Sequence, residues 1–350
     1  MKLFKVKNKS LTEVSRKSFG LEKEIQSLVE SNTEEIFNLE FVSSEFSINN
    51  FRIDSLCFDN EKNSFVIIEY KKGSSYSVID QGYSYLSIML NNKSDFILEY
   101  NESRKNNLKR EDVDWSQSKI IFVSPSFNNY QKNSVNFKDV PFELWEIRKF
   151  SDNIVSFNQQ LSSSKESIQM VEGGKNTVIK NVSKEVKVYD EDHHLKSISE
   201  KNKQLYMSIK EELINMDEVE FVNTKNYIGF KKNNTIVSYI NFFKNSLRFD
   251  LVKGNIKQDG SKSKGFFNLD DPKKVSKVVQ IKFKSGVKRE YYNIKISGKE
   301  EVGYLIMLLK QKYDSLWNQL GSDLGSDKKI KKIKTLIVKD LEGFFVVPPG

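Results

Sequence analysis

Residues Phe65–Tyr70 read FVIIEY, a nearly continuous run of apolar and β-branched side chains. Such a run predicts a strand that is buried on both faces at the centre of a sheet. Two strand-like stretches, Leu39–Phe46 and Phe51–Phe58, and the polar turn Asp59–Asn63 precede it. A chain with this central strand has to cover both faces of its sheet, which favours helices packed on either side.

Helical patterns flank these strands. Apolar residues recur every three or four positions in Phe19–Phe37 and again in Val78–Leu90. Further strands are predicted at Phe96–Tyr100, Ile120–Ser124 and Phe142–Ile147. The order helix, three strands, helix and more strands predicts an α/β core with helices on both faces of the sheet.

The length of 350 residues is enough for about two domains of roughly 150 residues each. Residues 1–150 hold the α/β pattern and begin with a short leader at 1–17. Residues 151–185 are rich in Ser, Asn, Gln and Lys, residues 186–198 carry the charged YDEDHH segment, and 151–198 are predicted to be a linker. Residues 199–320 predict a second, smaller α+β domain, and residues 321–350 form a basic tail.

Charge and cysteine content restrict the partners and the compartment. The net charge of +9 fits a polyanionic partner such as nucleic acid, but it fits a lysine-rich solvated surface equally well. The single cysteine, Cys57, excludes an intramolecular disulfide, and the N-terminal residues lack the apolar segment of a signal peptide. Since no apolar run approaches the roughly 18 residues of a membrane span, we expect a cytoplasmic protein without membrane contact.

Three charged side chains accompany the predicted strands. Asp54 lies in FRIDSLCFD, and Glu69 and Lys71 lie in FVIIEYKKG. Side chains two residues apart leave the same face of a strand, so Glu69 and Lys71 point the same way. A short hairpin sets the strand of Asp54 beside that of Glu69. The sequence therefore predicts two carboxylates and an ammonium at one end of the sheet.

This combination suits the hydrolysis of phosphodiester bonds. Asp54 and Glu69 can hold Mg²⁺ or Mn²⁺, because hard ions prefer oxygen ligands. A bound metal lowers the pKa of its water, and Lys71 can orient that water or stabilise the developing charge. The simpler alternative is a surface ion pair between Glu69 and Lys71 at a strand end, which explains most isolated E-x-K patterns.

The spacing of these motifs resembles that of the PD-(D/E)XK nuclease superfamily over about residues 18–100. Asp–x14–Glu–x–Lys follows a helix with acidic residues, and Ile53 stands where the signature has proline. Gln81 and Tyr85 resemble the QxxxY motif of the RecB-type branch, and LEKEIQSLVESN, FRIDSLCFD and VIIEYKKG resemble NucS-like families. Residues 199–320 resemble the DUF5655 domain that often accompanies such a module.

The resemblance implies a restriction-endonuclease-like core, in which helices flank a mixed central sheet, and a metal-dependent endonuclease serving restriction, phage defence or repair. Asp54 and Glu69 would bind the metal and Lys71 would assist the water. Glu22 is the candidate for the acidic residue on the first helix, because it borders the apolar face centred on Ile25. An ordinary solvated helix glutamate is the equal alternative.

Gln81 and Tyr85 lie one helical turn apart and share a face. They would contact the substrate backbone or support Lys71; the alternative is a polar cap on a core helix. His193 and His194 are not expected to bind metal, since they lack a Cys partner and i,i+4 spacing. DNA is the expected partner, and a homodimer would allow both strands to be cut. The alternative function is a catalytically inactive nuclease-like module that binds nucleic acid or protein.

Overall fold

The structure, a computed structural model, describes part of the chain. The described residues are 2–72, 77–161, 164–168, 176–232, 235–257, 259–263, 265–282 and 288–323, with side chains up to residue 316. The chain forms two compact units. The first contains the residues up to Lys196 together with Asn223–Tyr227, and the second contains Ser197–Val222 and the chain from Ile228 onward. Of the predicted basic tail, residues 324–350 lie outside the described residues.

The first unit is built on a mixed sheet flanked by helices. Its strands are β1 Phe4–Lys7, β2 Ser10–Glu13, β3 Arg16–Lys17, β4 Glu40–Ile48, β5 Phe51–Asp59, β6 Ser64–Tyr70, β7 Lys119–Ser124, β8 Phe142–Phe150 and β9 Val155–Gln160. Its helices are α1 Glu22–Glu30, α2 Thr33–Phe37, α3 Val78–Asn91, α4 Lys93–Arg104, α5 Asn129–Ser134, α6 Thr177–Glu185 and α7 Glu191–Leu195. The sheet order is β3-β8-β7-β6-β5-β4 with β9 beside β8. Strands β6, β7 and β8 are parallel, and β4 and β5 are antiparallel additions. The predicted α/β class is confirmed.

Strand β6 lies inside this sheet, and all its residues are buried, as the apolar run predicts. Phe65 and Ile67 face a core that also holds the apolar face of α3. Val66 and Ile68 face a second core, to which α1 contributes Ile25 and Val29. Helices α3 and α1 therefore cover opposite faces of the same strand.

The predicted strand Phe96–Tyr100 is wrong, because these residues belong to helix α4. Phe96 and Tyr100 are buried, whereas Leu98 between them is 56% exposed. A strand would turn positions 96, 98 and 100 to one face, but a helix turns 96 and 100 together and 98 away. The predicted helix Phe19–Phe37 is likewise two helices, α1 and α2, which are separated at Ser31 and Asn32.

Two stretches expected to lie outside the core belong to the first unit. The stretch 1–17, expected as a leader, contains the β1–β2 hairpin and strand β3, which pairs with β8. The stretch 151–198, expected as a linker, supplies β9, α6 and α7, and the first unit includes the chain up to Lys196. Ile179 and Val182 of α6 are buried in the core shared with α3. Polar composition concealed this helix, because only one face of it is apolar.

The second unit is an α+β fold with an antiparallel sheet. Its elements are α8 Glu200–Ile214, β10 Val219–Asn223, β11 Ile228–Lys232, β12 Thr235–Phe243, β13 Ser246–Ile256, β14 Lys277–Lys282, β15 Lys288–Ile296 and α9 Val302–Asp323. The sheet order is β10-β11-β12-β13-β15-β14. Leu205, Ile209 and Leu213 form the buried stripe of α8. Across the described residues of both units, the helices are too short or too polar to traverse a bilayer. The cytoplasmic location stays a prediction.

Candidate active site

Asp54 and Glu69 occupy opposed positions on neighbouring strands. Ser55 of β5 pairs with Ile68 of β6, so Asp54 and Glu69 are the next positions along the same antiparallel register. Opposed residues of an antiparallel pair send their side chains to the same face. The backbone N–H of Tyr70 donates to Oδ2 of Asp54 at 3.0 Å, which holds this carboxylate against the end of β6.

Glu69 is the most buried acid of the site, with 2% exposure. Its Oε1 accepts hydrogen bonds from Nζ of Lys71 at 2.6 Å and from Nε2 of Gln81 at 2.7 Å. Its Oε2 is also buried, and it has no hydrogen-bond partner among the described residues. A buried carboxylate oxygen without a partner is costly, so this oxygen is suited to a cation.

Helix α3 brings Gln81 and Tyr85 to Glu69. The helix can approach the sheet closely because Gly82 faces Phe142 of β8, and a Cβ at position 82 would come within 2.4 Å of that ring. Nε2 of Gln81 also donates to the hydroxyl of Tyr85 at 3.3 Å, and this hydroxyl donates to the backbone oxygen of Arg52 at 3.4 Å. Burial and then the charge of Glu69 raise the pKa of Tyr85, so its hydroxyl remains a hydrogen-bond donor.

The electrostatics of Asp54 reflect crowding by negative charge. Burial, and then the neighbouring Glu69 carboxylate, raise the pKa of Asp54 to about 7, although the Tyr70 N–H and Lys71 oppose the rise. Lys71 thus lies beside two carboxylates, and the negative charge of one disfavours ionisation of the other. The donor set of Asp54 and Glu69 therefore fits a divalent cation, which would relieve this repulsion.

Glu22 is not brought into this group. Its carboxylate accepts a hydrogen bond from the backbone N–H of Lys72 at 2.9 Å, one residue beyond Lys71. Among the described contacts, none joins Glu22 to Asp54 or Glu69. The reason is that α1 packs on the Val66 face of β6, whereas Glu69 lies on the Ile67 face with α3.

Sequence reasoning missed a polar network behind Asp54. Nε2 of Gln26 on α1 donates to the backbone oxygen of Asp54 at 3.0 Å and also lies within hydrogen-bond distance of Glu30 and Glu45. Glu45 has a left-handed φ of 56° and lies beside Asp54, and its charge contributes to the raised pKa of Asp54. The i, i+4, i+8 spacing of Glu22, Gln26 and Glu30 was the available signal, because it places all three on one helix face.

The candidate metal ligands remain two carboxylates. Over the described ranges, no three His, Cys, Asp or Glu side chains form a group able to hold a metal ion, and this covers His193 and His194 of α7. Mg²⁺ commonly keeps several of its waters and uses one or two protein carboxylates together with substrate phosphate. A pair such as Asp54 and Glu69 is therefore a sufficient protein contribution for that ion.

Comparison with known proteins identifies a relative of nearly the same length. No protein-family model matches the chain. An uncharacterized protein of Haemophilus influenzae is 41% identical over 314 residues, which cover 89% of this chain and 99% of that protein. The chain belongs to the same family as this Haemophilus influenzae protein. The PD-(D/E)XK and DUF5655 resemblances stay predictions.

Two solved structures resemble part of the chain. One is the structure of the EndoMS-dsDNA2 complex, with 19% identity, 37% coverage of this chain, 47% of that chain and a TM-score of 0.25. The other is a repair endonuclease from Pyrococcus abyssi, with 18% identity, 34% and 44% coverage and a TM-score of 0.21. The chain spans less than half of each of these structures. Because both scores are below 0.5, the function has to be inferred from the geometry of this chain.

Proposed function

We propose that the first unit is a Mg²⁺- or Mn²⁺-dependent endonuclease that hydrolyses phosphodiester bonds in DNA, in restriction, phage defence or repair. The observation that carries this proposal is the buried Oε2 of Glu69, which has no hydrogen-bond partner in the described part of the chain and belongs to a carboxylate opposed to Asp54. The ammonium of Lys71, 2.6 Å from the other oxygen of Glu69, supplies the third group of the motif. The net charge of +9 is consistent with a polyanionic substrate.

The two acids have the role of metal ligands. Asp54 and Glu69 would hold the ion. A divalent ion bound there lowers the pKa of a coordinated water and neutralises charge on the phosphate. Crowding between the carboxylates makes the site ready for a cation, because binding one removes the repulsion that raises the pKa of Asp54.

The remaining residues of the site would orient the water, stabilise developing charge or hold Glu69 in place. Lys71 would donate a hydrogen bond to the attacking water or to a phosphate oxygen on which charge develops. Gln81 holds Glu69 in place at 2.7 Å, and Tyr85 supports Gln81 from one turn further along α3. Both are therefore proposed as positioning residues. Glu22 is proposed to order the chain after β6 through Lys72, rather than to bind the metal.

The direct test is cleavage of plasmid and single-stranded DNA by the full chain with Mg²⁺ or Mn²⁺. The wild-type protein should nick or linearise the substrate, and Asp54→Ala should leave it intact. Asp59→Asn is the matched control, because Asp59 is a buried acid at the last residue of β5, and its Oδ1 accepts the backbone N–H groups of Glu61 and Lys62. Intact DNA with every metal, or cleavage that survives Asp54→Ala, would contradict the proposal.

A binding module without catalysis is the second candidate. The observation that favours it is that Lys71 and Gln81 already satisfy Oε1 of Glu69, so half of the carboxylate is stabilised by the chain itself. On this alternative, the protein binds DNA tightly but does not turn it over, and Asp54→Ala leaves the affinity unchanged. Measuring binding and cleavage on the same DNA separates the two candidates.

A further inference from the structure

In the second unit, lysines and aromatic rings gather where strand β13 ends. Nζ of Lys262 lies 4.6 Å from the ring centre of Phe266, and Nζ of Lys253 lies 5.3 Å from the ring centres of both Phe266 and Tyr292. On helix α9, Nζ of Lys312 lies 5.3 Å from the ring centre of Phe267. We call these residues the lysine–aromatic cluster: Lys253, Lys262, Phe266, Phe267, Tyr292 and Lys312.

A β-bulge builds this cluster. Val252 pairs with Tyr291 and Gly254 pairs with Glu290, so Lys253 is an extra residue on β13. Gly254 has a φ of 146°, and a Cβ at this position would come within 2.8 Å of the Phe266 ring. The backbone N–H of Phe267 donates to the oxygen of Lys253 at 2.7 Å, which fastens the following loop to the bulge. Bulges re-aim side chains in this way, and they are frequent beside binding sites.

The cluster carries an excess of positive charge. Glu290 forms an ion pair with Lys253 at 2.9 Å and offsets one of the three lysines. Lys312 is only 4% exposed, and its ammonium donates to the backbone oxygen of Gly265 at 3.2 Å. Burial lowers the pKa of Lys312 to about 8. The positive charge of Lys312 therefore lies beneath the aromatic rings, and it adds to the positive potential of the cluster without contacting a ligand itself.

We propose that the lysine–aromatic cluster binds single-stranded nucleic acid, with the exposed Lys262 and the neighbouring Lys253 on phosphates and Phe266 stacked on an unpaired base. The inference rests on the proposed function for its choice of ligand class and assigns substrate contact to the second unit. Single-strand sites combine a basic surface with aromatic side chains on which bases stack. The half-buried Phe266 ring selects a single strand over a duplex, because bases inside a duplex are already stacked on one another.

Binding is measured by fluorescence anisotropy of a labelled oligothymidine with the full chain carrying Asp54→Asn, which prevents cleavage. In that background, Phe266→Leu keeps an apolar side chain but removes the ring, and we expect affinity to fall about tenfold. Lys253→Gln with Lys262→Gln should weaken binding and lower the slope of log affinity against log salt by about 1 to 2. Lys244→Gln is the control, because this exposed lysine lies in the turn before β13, at the opposite end of the strand.

The affinities of the cluster variants determine whether the inference holds. Affinities within twofold of the parent for both cluster variants, with unchanged melting temperatures, would overturn the inference. Equal affinity for duplex and single strand, insensitive to Phe266→Leu, would also overturn it. The cluster substitutions can also be placed in a chain that retains Asp54. If that chain cleaves DNA at the wild-type rate, the proposed function is supported and the inference about the cluster is contradicted. Cluster-dependent binding by a chain that never cleaves DNA would support the inference and contradict the proposed function.

Discussion

Strands β6 and β8 each carry a buried glutamate, and the surroundings of the two carboxylates differ. Glu146 of β8 is 4% exposed, with Oε1 2.9 Å from Nζ of Lys132 and Oε2 2.7 Å from a guanidinium nitrogen of Arg148. Glu69 of β6 is 2% exposed, but both of its donors share Oε1, and Oε2 has none among the described residues. Each oxygen of Glu146 thus has a cationic partner, whereas Oε2 of Glu69 has no hydrogen-bond partner within the described ranges.

The pKa values around the two carboxylates distinguish an acid that stabilises the fold from an acid suited to chemistry. Burial disfavours the charge of Glu146, but hydrogen bonds from Lys132 and Arg148 outweigh it and hold the pKa of Glu146 below its ordinary value. Beside Glu69, the balance is reversed, since burial and the Glu69 charge raise the pKa of Asp54 to about 7. Acid pairs with such unrelieved repulsion are typical of functional sites.

The sharpest test of this comparison exchanges each glutamate for glutamine. Glu69→Gln keeps the shape but removes a metal ligand, so cleavage of DNA with Mg²⁺ should fall about a thousandfold, or roughly 4 kcal/mol of transition-state stabilisation. Glu146→Gln should change the cleavage rate less than about threefold, although it removes charge pairing and lowers the melting temperature by a few degrees. Single-turnover rates and thermal unfolding of both variants provide the measurement.

Equal losses of cleavage in the two glutamine variants would contradict the separate roles of Glu69 and Glu146. That result would mean that both acids act through the stability of the sheet. A rate loss confined to Glu69→Gln, with its circular dichroism spectrum unchanged, supports the division of roles.

A second test compares the lysine partners of the two acids. Lys71→Gln removes the ammonium that would stabilise developing charge, and we expect cleavage to fall about 100-fold. Lys132→Gln removes the corresponding partner of Glu146 and should leave the rate within about threefold of wild type. If Lys71→Gln retains the wild-type rate, the ammonium only neutralises Glu69, and its proposed role in the reaction is wrong.

The central strand and the positions of its charges could be predicted from the sequence. The apolar run before Glu69 predicts a buried strand, and the two-residue period of a strand predicts the face on which the Glu69 side chain lies. The opposition of Asp54 and Glu69 then follows from one short hairpin. Local periodicity was sufficient there, because each step depends on neighbouring residues only.

Features that depend on distant packing could not be predicted in the same way. Glu22 borders the apolar face of α1, but only the tertiary structure shows that α1 covers the other face of β6. Residues 151–198 read as polar, although α6 contributes Ile179 and Val182 to the core. Glu45, between positions paired with Ser55 and Ile53, has a left-handed backbone, and no local pattern marked it.

A third test measures how much a bound metal ion stabilises the protein, and its expected effect is intermediate among the predictions. Mn²⁺ at 100 times its dissociation constant should stabilise the wild-type protein by about 2.7 kcal/mol, because the ion binds the folded state only. The shift in melting temperature should disappear in Asp54→Asn and persist in Glu146→Gln. A shift of equal size in all three proteins would place the ion elsewhere and remove the chemical distinction between the two glutamates.

The smallest expected effect concerns stability against pH in EDTA. Asp54 has its folded pKa raised from 3.8 to about 7, so the folded state binds more protons than the unfolded state between these values. Stability from this group is therefore complete below about pH 4 and is lost as the pH rises to 7. Relative to wild type, Asp54→Asn should gain stability over that window, by about 3 °C or more in melting temperature at pH 8.

Glu146→Gln should show the opposite trend, since the pKa of Glu146 is lowered and its charge stabilises the fold at higher pH. Parallel curves for the two variants would show that Asp54 is not held under electrostatic strain, and a cation would then have nothing to relieve.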